Sequence, residues 1–444
     1  MRTFAINTLG CKVNQYESQQ IRELLEQLGL SRCENANKAD IVIINTCCVT
    51  HTASAKSRKY IRQAQRLSAG SVIVACGCLP TVQTDEFSIF GENVHIIADR
   101  HNLAADLTRI VNGRTAIKTD NRSKIHHNND LALPPLTAFQ GHTRAFLKVQ
   151  DGCDGYCSYC IVPKTRPNMT FKPIEKVIAE AQGLVKAGHK EVVITGVFLG
   201  AYGQPTVRRK SWPGGENEAI AGLLEKIAQV PDLKRIRLSS LEPADVTERL
   251  LDVMKNHRNI MPHLHLSLQS GSDTILRKMN RQYTVKDFLK AIENINLQLD
   301  RPAITTDIIV GFPGETVQDF AQSLAVAKVA GFSKIHIFPF SKRGGTAAEK
   351  MQDFVNKEVT TQRAQVMREL EKQLADKFRK QFVGEIAEVL IENEVKKTGR
   401  CERYYEIRLG MPNGIAIKGE PVSKGEIVKC RINSDAVSAL FVES

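Results

Sequence analysis

No apolar run in this chain approaches the ~18 residues that a membrane-crossing helix needs. The longest are IVII (41–44) and SVIVAC (71–76), so a transmembrane helix is not expected. The opening MRTFAINTLGC carries no apolar core leading to a cleavage site. No signal peptide is therefore expected, and the cytoplasm is the expected compartment. Tryptophan occurs once, at Trp212, and there is no long internal repeat or low-complexity tract. Negative charge is also short: 48 Asp and Glu stand against 61 Lys and Arg, a net +13. An excess of that size points to a polyanion partner, most often nucleic acid. It is uneven, at +4 over 1–140, +10 over 141–380 and −1 over 381–444.

At roughly 100–200 residues per domain, 444 residues predict two to four domains. The eleven cysteines are odd in number and clustered. In the expected reducing compartment, clustered thiols indicate metal or redox chemistry rather than bridges.

The spacing predicts four βα units at the start. Arg2–Asn7, Asp40–Asn45, Ser71–Ala75 and His95–Ala98 read as strands, with helical stripes at 14–29 and 52–68. That alternation implies an open parallel sheet over 1–112. Residues 113–143 are polar, end near Pro134 and Pro135, and read as a linker. His126 and His127 within it read as a solvated pair. From 144 to 380 the alternation restarts, with strands expected at 145–150, 191–195, 235–239, 263–268, 303–310 and 334–338. Six βα repeats suggest a partial parallel barrel. Residues 202–215 read as a loop insertion on its rim, and 355–380 as a charged helix leading out. Residues 381–444 hold short alternating segments, EIAEVLIENE, YYEIRLG, GIAIKGE, EIVKCRI and SALFVES, and read as a small antiparallel β-barrel.

The strongest motif is Cys153-Asp-Gly-Tyr-Cys157-Ser-Tyr-Cys160, directly after the first barrel strand. Three thiolates in eight residues can hold three corners of an iron–sulfur cube and leave the fourth iron open. Structural zinc prefers four protein ligands, and no nearby Cys or His completes this set. A second constellation is Cys11, Cys47 and Cys78, each following one of the first three strands. Ligands gather at the carboxyl ends of an open parallel sheet, so these positions meet in space. Strand geometry alone leaves Cys48 open beside Cys47, and Cys76 open beside Cys78.

The CxxxCxxC spacing with Tyr159 before its last cysteine resembles the radical S-adenosylmethionine (SAM) superfamily. The resemblance implies that the open iron binds SAM and that reductive cleavage yields a 5′-deoxyadenosyl radical. Thr195 and Gly196 resemble the backbone patch for the methionine amino group. Ser239–Pro243, with Ser240 and Glu242, resembles the ribose-contacting segment. TLGCKVNQYES (8–18), NTCCVT (45–50) and CGCL (76–79) resemble the N-terminal domain of the methylthiotransferases, a subfamily of these enzymes. That resemblance implies Cys11, Cys47 and Cys78 as ligands of a second [4Fe–4S] cluster. HLHLSLQSGSD (263–273), RQYT (281–284) and TDIIVGFPGET (306–316) match the same subfamily, and residues 381–444 resemble its RNA-binding TRAM barrel.

The run Leu9–Glu17 is most similar to the branch acting on threonylcarbamoyladenosine in tRNA. The rival branches act on isopentenyladenosine in tRNA and on an aspartate of ribosomal protein S12. A more distant rival is a non-catalytic, metal-stabilised RNA-binding protein. The resemblance implies C2 methylthiolation at position 37, with tRNA engaged at its anticodon loop. SAM serves as methyl donor and radical source, and an external one-electron reductant is required. One segment departs from the family pattern: Ile161–Pro167 reads IVPKTRP. Arg166 is kept as a SAM-contacting residue, while Pro167 fixes φ and removes a donor, so a different loop path is expected. For RNA, Lys396, Lys397, Arg400 and Arg403 cluster at an expected turn, with Tyr404 and Tyr405 placed to stack on unpaired bases.

Overall fold

The computed structural model describes residues 3–67, 70–82, 87, 90–91, 93–113, 133–211, 217–410 and 423–441. His126, His127, most of the expected linker, Trp212 and the GIAIKGE segment lie outside the described residues. The chain forms two compact units: Met1–Ala138 with Cys160–Asn168, and Phe139–Tyr159 with Met169–Ser444.

The first unit is a parallel sheet of β1 (Thr3–Thr8), β2 (Ser31–Arg32), β3 (Ile41–Thr46), β4 (Val72–Gly77) and β5 (Val94–Ile96). The strand order is β2-β1-β3-β4-β5. The helices are α1 (Lys12–Gln27), α2 (His51–Leu67), α3 (Cys78–Val82), α4 (Leu103–Val111) and α5 (Val162–Thr165). β3 is buried at every residue because apolar layers cover both faces, as parallel sheets require. One layer holds Ile44, Ile61 of α2 and Ile73. The other holds Phe4, Ile21 and Leu25 of α1, Ile43 and Leu107 of α4. The first two long crossovers therefore leave to opposite faces, and the strand order reverses between β1 and β3. In open α/β sheets that reversal opens a crevice at the carboxyl ends of the strands. The edge strand β2 has only two residues, both exposed, and no sequence pattern announces it.

In the second unit the six expected barrel strands form. The strands in chain order are β6 (Arg144–Lys148), the short pair β7 (Gln150–Asp151) and β8 (Thr170–Phe171), β9 (Glu191–Thr195), β10 (Arg235–Leu238), β11 (Ser240–Leu241), β12 (His263–Leu266), β13 (Ala303–Val310) and β14 (Lys334–Pro339); the six expected are β6, β9, β10, β12, β13 and β14, and β11 is additional. Helices α6 (Ile174–Lys186), α7 (Ala219–Ala228), α8 (Glu248–Asn256), α9 (Asp273–Lys278), α10 (Val285–Gln298) and α11 (Val317–Ala330) alternate with them, and α12 (Lys357–Lys380) packs on β13 and β14. The wall is two sheets rather than one, β10-β9-β6 and β11-β12-β13-β14. The chain changes neighbour between them: the Ser239 N–H still donates to Ile194 of β9, whereas Ser240 pairs with His265 of β12. Helix starts are fixed locally. Thr284 with Asp287 and Thr316 with Asp319 form reciprocal caps at α10 and α11.

The unit ends in a closed barrel of β15 (Ile386–Asn393), β16 (Thr398–Cys401), β17 (Glu406–Gly410), β18 (Ile427–Ile432) and β19 (Ser438–Phe441), ordered β15-β16-β17-β19-β18. The expected antiparallel pairing needs one correction, because β17 and β19 run parallel. Five strands cannot alternate direction around a closed ring, so one neighbouring pair must be parallel. Val389, Ile391, Ile407, Leu409 and Ile432 fill the barrel and share a cluster with Phe378, Phe382 and Ala303. On the same side, the buried Arg237 donates to Glu191 at 2.8 Å and to the carbonyls of Cys401 and Glu402, each at 2.8 Å. Arg235 donates to the carbonyls of Glu388 and Arg400.

Candidate metal centres

Cys11 follows β1 and is the N-cap of α1, Cys47 follows β3, and Cys78 follows β4. All three stand at the crevice end of the first sheet. Asn14, one turn into α1, marks their convergence. Its Oδ1 lies 4.0 Å from Cys11 Sγ and 3.9 Å from Cys78 Sγ, and its Nδ2 donates to the carbonyls of Leu9 and Thr46. Gly10, at φ +104°, permits the approach, since a Cβ there would fall 2.8 Å from Cys47 Cβ and 3.0 Å from its sulfur. Asn14 was not singled out in the sequence, although its place three residues after Cys11 was the available signal.

The neighbouring cysteines separate by face. Cys76 lies in the apolar layer of Ile21 and Leu25, while Cys47, Cys48 and Cys78 lie in the opposite layer. Burial pushes the Cys76 thiol up to about 12. Cys48 is fully buried, and its thiol donates to the Cys78 carbonyl. Hydrogen bonding with Cys48, and then the nearby Arg100 and Arg166 guanidiniums, hold Cys78 well below the ordinary thiol range. Burial raises Cys11.

Arg166, expected as a SAM contact, lies beside this thiol set. Its side chain is buried in the first unit, donating to both Glu17 carboxylate oxygens at 2.7 and 2.8 Å and to Asn14 at 3.2 Å. The short helix α5 turns it toward α1, a direction the one-dimensional motif does not carry. Arg100, just beyond β5, donates to Cys78 Sγ at 3.1 Å, while its Nε and Nη1 are buried without a hydrogen-bond partner. A buried cation with unused donors beside convergent thiols fits an anionic iron–sulfur group. Cys11, Cys47 and Cys78 are the residues that would hold it.

In the second unit, Cys153 and Cys157 follow β7. The Gly155 N–H points at Cys153 Sγ, 3.4 Å away, and Arg281 donates to Cys157 Sγ at 3.1 Å. Burial pushes the Cys153 thiol up to about 12. Cys160 opens the segment that packs with the first unit, and its sulfur accepts the Val162 N–H at 3.4 Å. Donors aimed at each sulfur suit thiolates of a metal cluster. Gln150 was missed: fully buried, it donates to the Gly152 carbonyl and accepts the Phe198 N–H, so it ties the approach to Cys153 to the loop after β9. A glutamine ending an apolar strand was the signal.

The expected SAM contacts are placed as follows. The Thr195 carbonyl accepts the Val149 N–H, and Gly196 lies directly against the Gln150 side chain. Ser240 is exposed in β11. Glu242 is buried and held by two guanidiniums, Arg281 and Arg209, the latter at 3.1 Å. Tyr159 sits edge-on to Phe312, with centroids 6.5 Å apart. Arg281 and Arg209 were given no role by sequence reasoning.

The expected RNA set divides. Lys396 and Lys397 are exposed. Tyr404, however, lies between the guanidiniums of Arg144, Arg237 and Arg400, with its ring tilted against His263 at a centroid distance of 4.5 Å. Tyr405 packs on Phe378 and Phe382. Arg400 bonds the Tyr404 carbonyl, and Arg403 bonds Asp300 and the Arg301 carbonyl. These four side chains thus also make contacts within the unit.

Residues 147–327 match the Radical SAM superfamily, and residues 3–99 match the Uncharacterized protein family UPF0004. The threonylcarbamoyladenosine tRNA methylthiotransferase MtaB of Bacillus subtilis is 35% identical, covering 97% of this chain and 94% of its own. That of Chlamydia pneumoniae is 38% identical over 94% and 93%. The tRNA-2-methylthio-N(6)-dimethylallyladenosine synthase of Acetivibrio thermocellus is 29% identical over 98% and 89%. Among solved structures, the radical SAM methyltransferase TsrM of Kitasatospora setae shares the fold at TM-score 0.55 and 13% identity, over 76% of this chain and 75% of its own. Taken with the two cysteine sets, these relationships establish that the chain belongs to the radical SAM methylthiotransferases, enzymes that use SAM and a [4Fe–4S] cluster.

Proposed function

We propose that this enzyme replaces C2–H of N6-threonylcarbamoyladenosine at position 37 of tRNA with C2–S–CH3, using two [4Fe–4S] clusters and two molecules of SAM. The observation that carries the reading is the presence of two thiol sets in one chain, each supplied with donors aimed at sulfur. An aromatic C2–H resists ordinary bases, which accounts for one set; incoming sulfur needs its own holder, which accounts for the other. When bound by Cys153, Cys157 and Cys160, the first cluster supplies reductive cleavage of SAM to a carbon radical. Arg281 holds the Cys157 sulfur and Glu242 in one arrangement. Cys11, Cys47 and Cys78 hold the second cluster, with Arg100 and Arg166 balancing its charge. The electron comes from an external reductant, and the anticodon loop presents the base.

The threonylcarbamoyl branch is favoured by the run Leu9–Glu17 and by relatives of that name at 33–38% identity. Nucleoside mass spectrometry of tRNA from a deletion strain tests it. Loss of the methylthio group from threonylcarbamoyladenosine is expected. Loss from dimethylallyladenosine, or from ribosomal protein S12, would reassign the branch. Anaerobic reconstitution should yield about eight irons per chain; colourless zinc would remove the catalytic reading.

A further inference from the structure

Side chains two apart on a strand share a face. On β12 and β13, Leu264, Leu266, Ile304 and Ile308 are buried on one side, and the opposite side carries His263, His265, Thr305 and Asp307. Asp307 pairs in register with His336 of β14, the strand that borders this wall. The low end of the polar face is closed by Tyr404, its ring tilted against that of His263 with centroids 4.5 Å apart. Above that floor, nitrogen and oxygen atoms of His265, Asp307 and His336 come within 4.8 Å of one another.

The three groups are not equivalent. His265 is engaged at both ring nitrogens, with Nε2 3.3 Å from Asp307 Oδ2 and Nδ1 2.9 Å from Thr305 Oγ1. It therefore acts as a positioning residue that aims the Asp307 carboxylate. Asp307 keeps 27% of its side-chain surface, and His336 is exposed. Next along the same face, Phe338 pairs with Ile309 and is 44% exposed, an aromatic wall beside the polar group.

We propose that Asp307 and His336, held by His265, form the pocket for the polar extension on the modified adenosine. The His336 N–H donates to a carboxylate, and Asp307 accepts from a hydroxyl or urea N–H. A threonylcarbamoyl group offers all of these, whereas a dimethylallyl group offers none. Entry of the hydrocarbon would strip water from Asp307 and His336 without replacing it, and sites built this way reject apolar analogues strongly. The assignment rests on the function proposed above and makes this cluster its substrate filter. A divalent cation could use the same three residues, but it would have to displace Asp307 or Thr305 from His265.

The test uses reconstituted holoenzyme and tRNAs carrying either modification. Asp307→Asn and His336→Phe should each lower kcat/KM on the threonylcarbamoyl substrate roughly 10- to 100-fold, mainly through KM, with His336→Gln recovering part of the loss. Iron content and melting temperature monitor folding. Independently of any variant, masking the threonyl carboxylate as its methyl ester should weaken binding to the unaltered enzyme. If the unaltered enzyme accepts only the dimethylallyl tRNA, the proposed function fails and the filter fails with it. If it accepts threonylcarbamoyl tRNA but both variants and the ester behave normally, the filter alone fails. A divalent metal retained by the dialysed holoenzyme and missing from both variants would overturn the filter in favour of a metal site.

Discussion

At the scale of single residues, Cys76 within β4 and Cys78 just after it lie in opposite apolar layers of the first sheet, which makes the proposed ligand set testable. Cys78→Ala should lose about four irons and all methylthio product. Cys76→Ala should keep both iron complements, because its thiol lies in the layer of Ile21 and Leu25, opposite the layer that holds Cys47 and Cys78. Iron analysis after reconstitution distinguishes them, and equal losses would place the cluster on the wrong face. Glu17 makes a different prediction. It is the carboxylate partner of buried Arg166, and removing one partner of such a pair strands a charge at a cost of about 3–5 kcal/mol. Glu17→Ala should therefore depress thermal stability far more than a surface change, and an unchanged melting temperature would contradict the burial. The placing of Cys11, Cys47 and Cys78 was legible because residues just after parallel strands gather at one edge of the sheet. Arg100 was not: it lies 22 residues from Cys78, after an edge strand, and only the folded sheet brings them together.

Among elements, the inner wall formed by β9 and β10 is unusual in carrying Glu191, Arg235 and Arg237, all essentially without solvent. Their donors hold the backbone of β15, β16 and the turn that follows β16. Glu191→Gln should leave two guanidiniums short of a counter-charge. The expected result is a loss of about 3–5 kcal/mol and faster proteolysis of the C-terminal barrel. A variant with normal unfolding and normal protease resistance would show that the arginine bonds to carbonyls suffice. The internal contacts of Arg400, Arg403, Tyr404 and Tyr405 were likewise not legible in the sequence. A run of Lys, Arg and Tyr at a turn has the composition of a nucleic-acid surface, but alternation cannot say which turn faces the wall that needs plugging. The six barrel strands were legible to within two residues at each end; the exchange of neighbours at Ser239 was not, since it depends on the curvature of the whole wall.

For the whole molecule, the net +13 is the quantity that reaches an RNA partner before any contact forms. With Arg400 and Arg403 bound internally, Lys396 and Lys397 are the exposed cations left at that turn. Changing both lysines to alanine should flatten the log–log salt dependence of tRNA binding by about 0.7–0.9 for each phosphate no longer neutralised. An unaltered slope would move RNA docking to the +10 of residues 141–380. The first compact unit has a further consequence, for synthesis. It is not contiguous: residues 160–168 complete it, bringing Ile161 into its apolar layer and Arg166 to Glu17. A nascent chain that has emerged only to Ala138 holds a full sheet with a buried carboxylate still awaiting its cation. At about 5–20 residues per second, the ribosome takes some seconds more to deliver it. The sheet thus waits on a later part of the message, and the surroundings of Cys11, Cys47 and Cys78 are completed only after the last of these cysteines has been made.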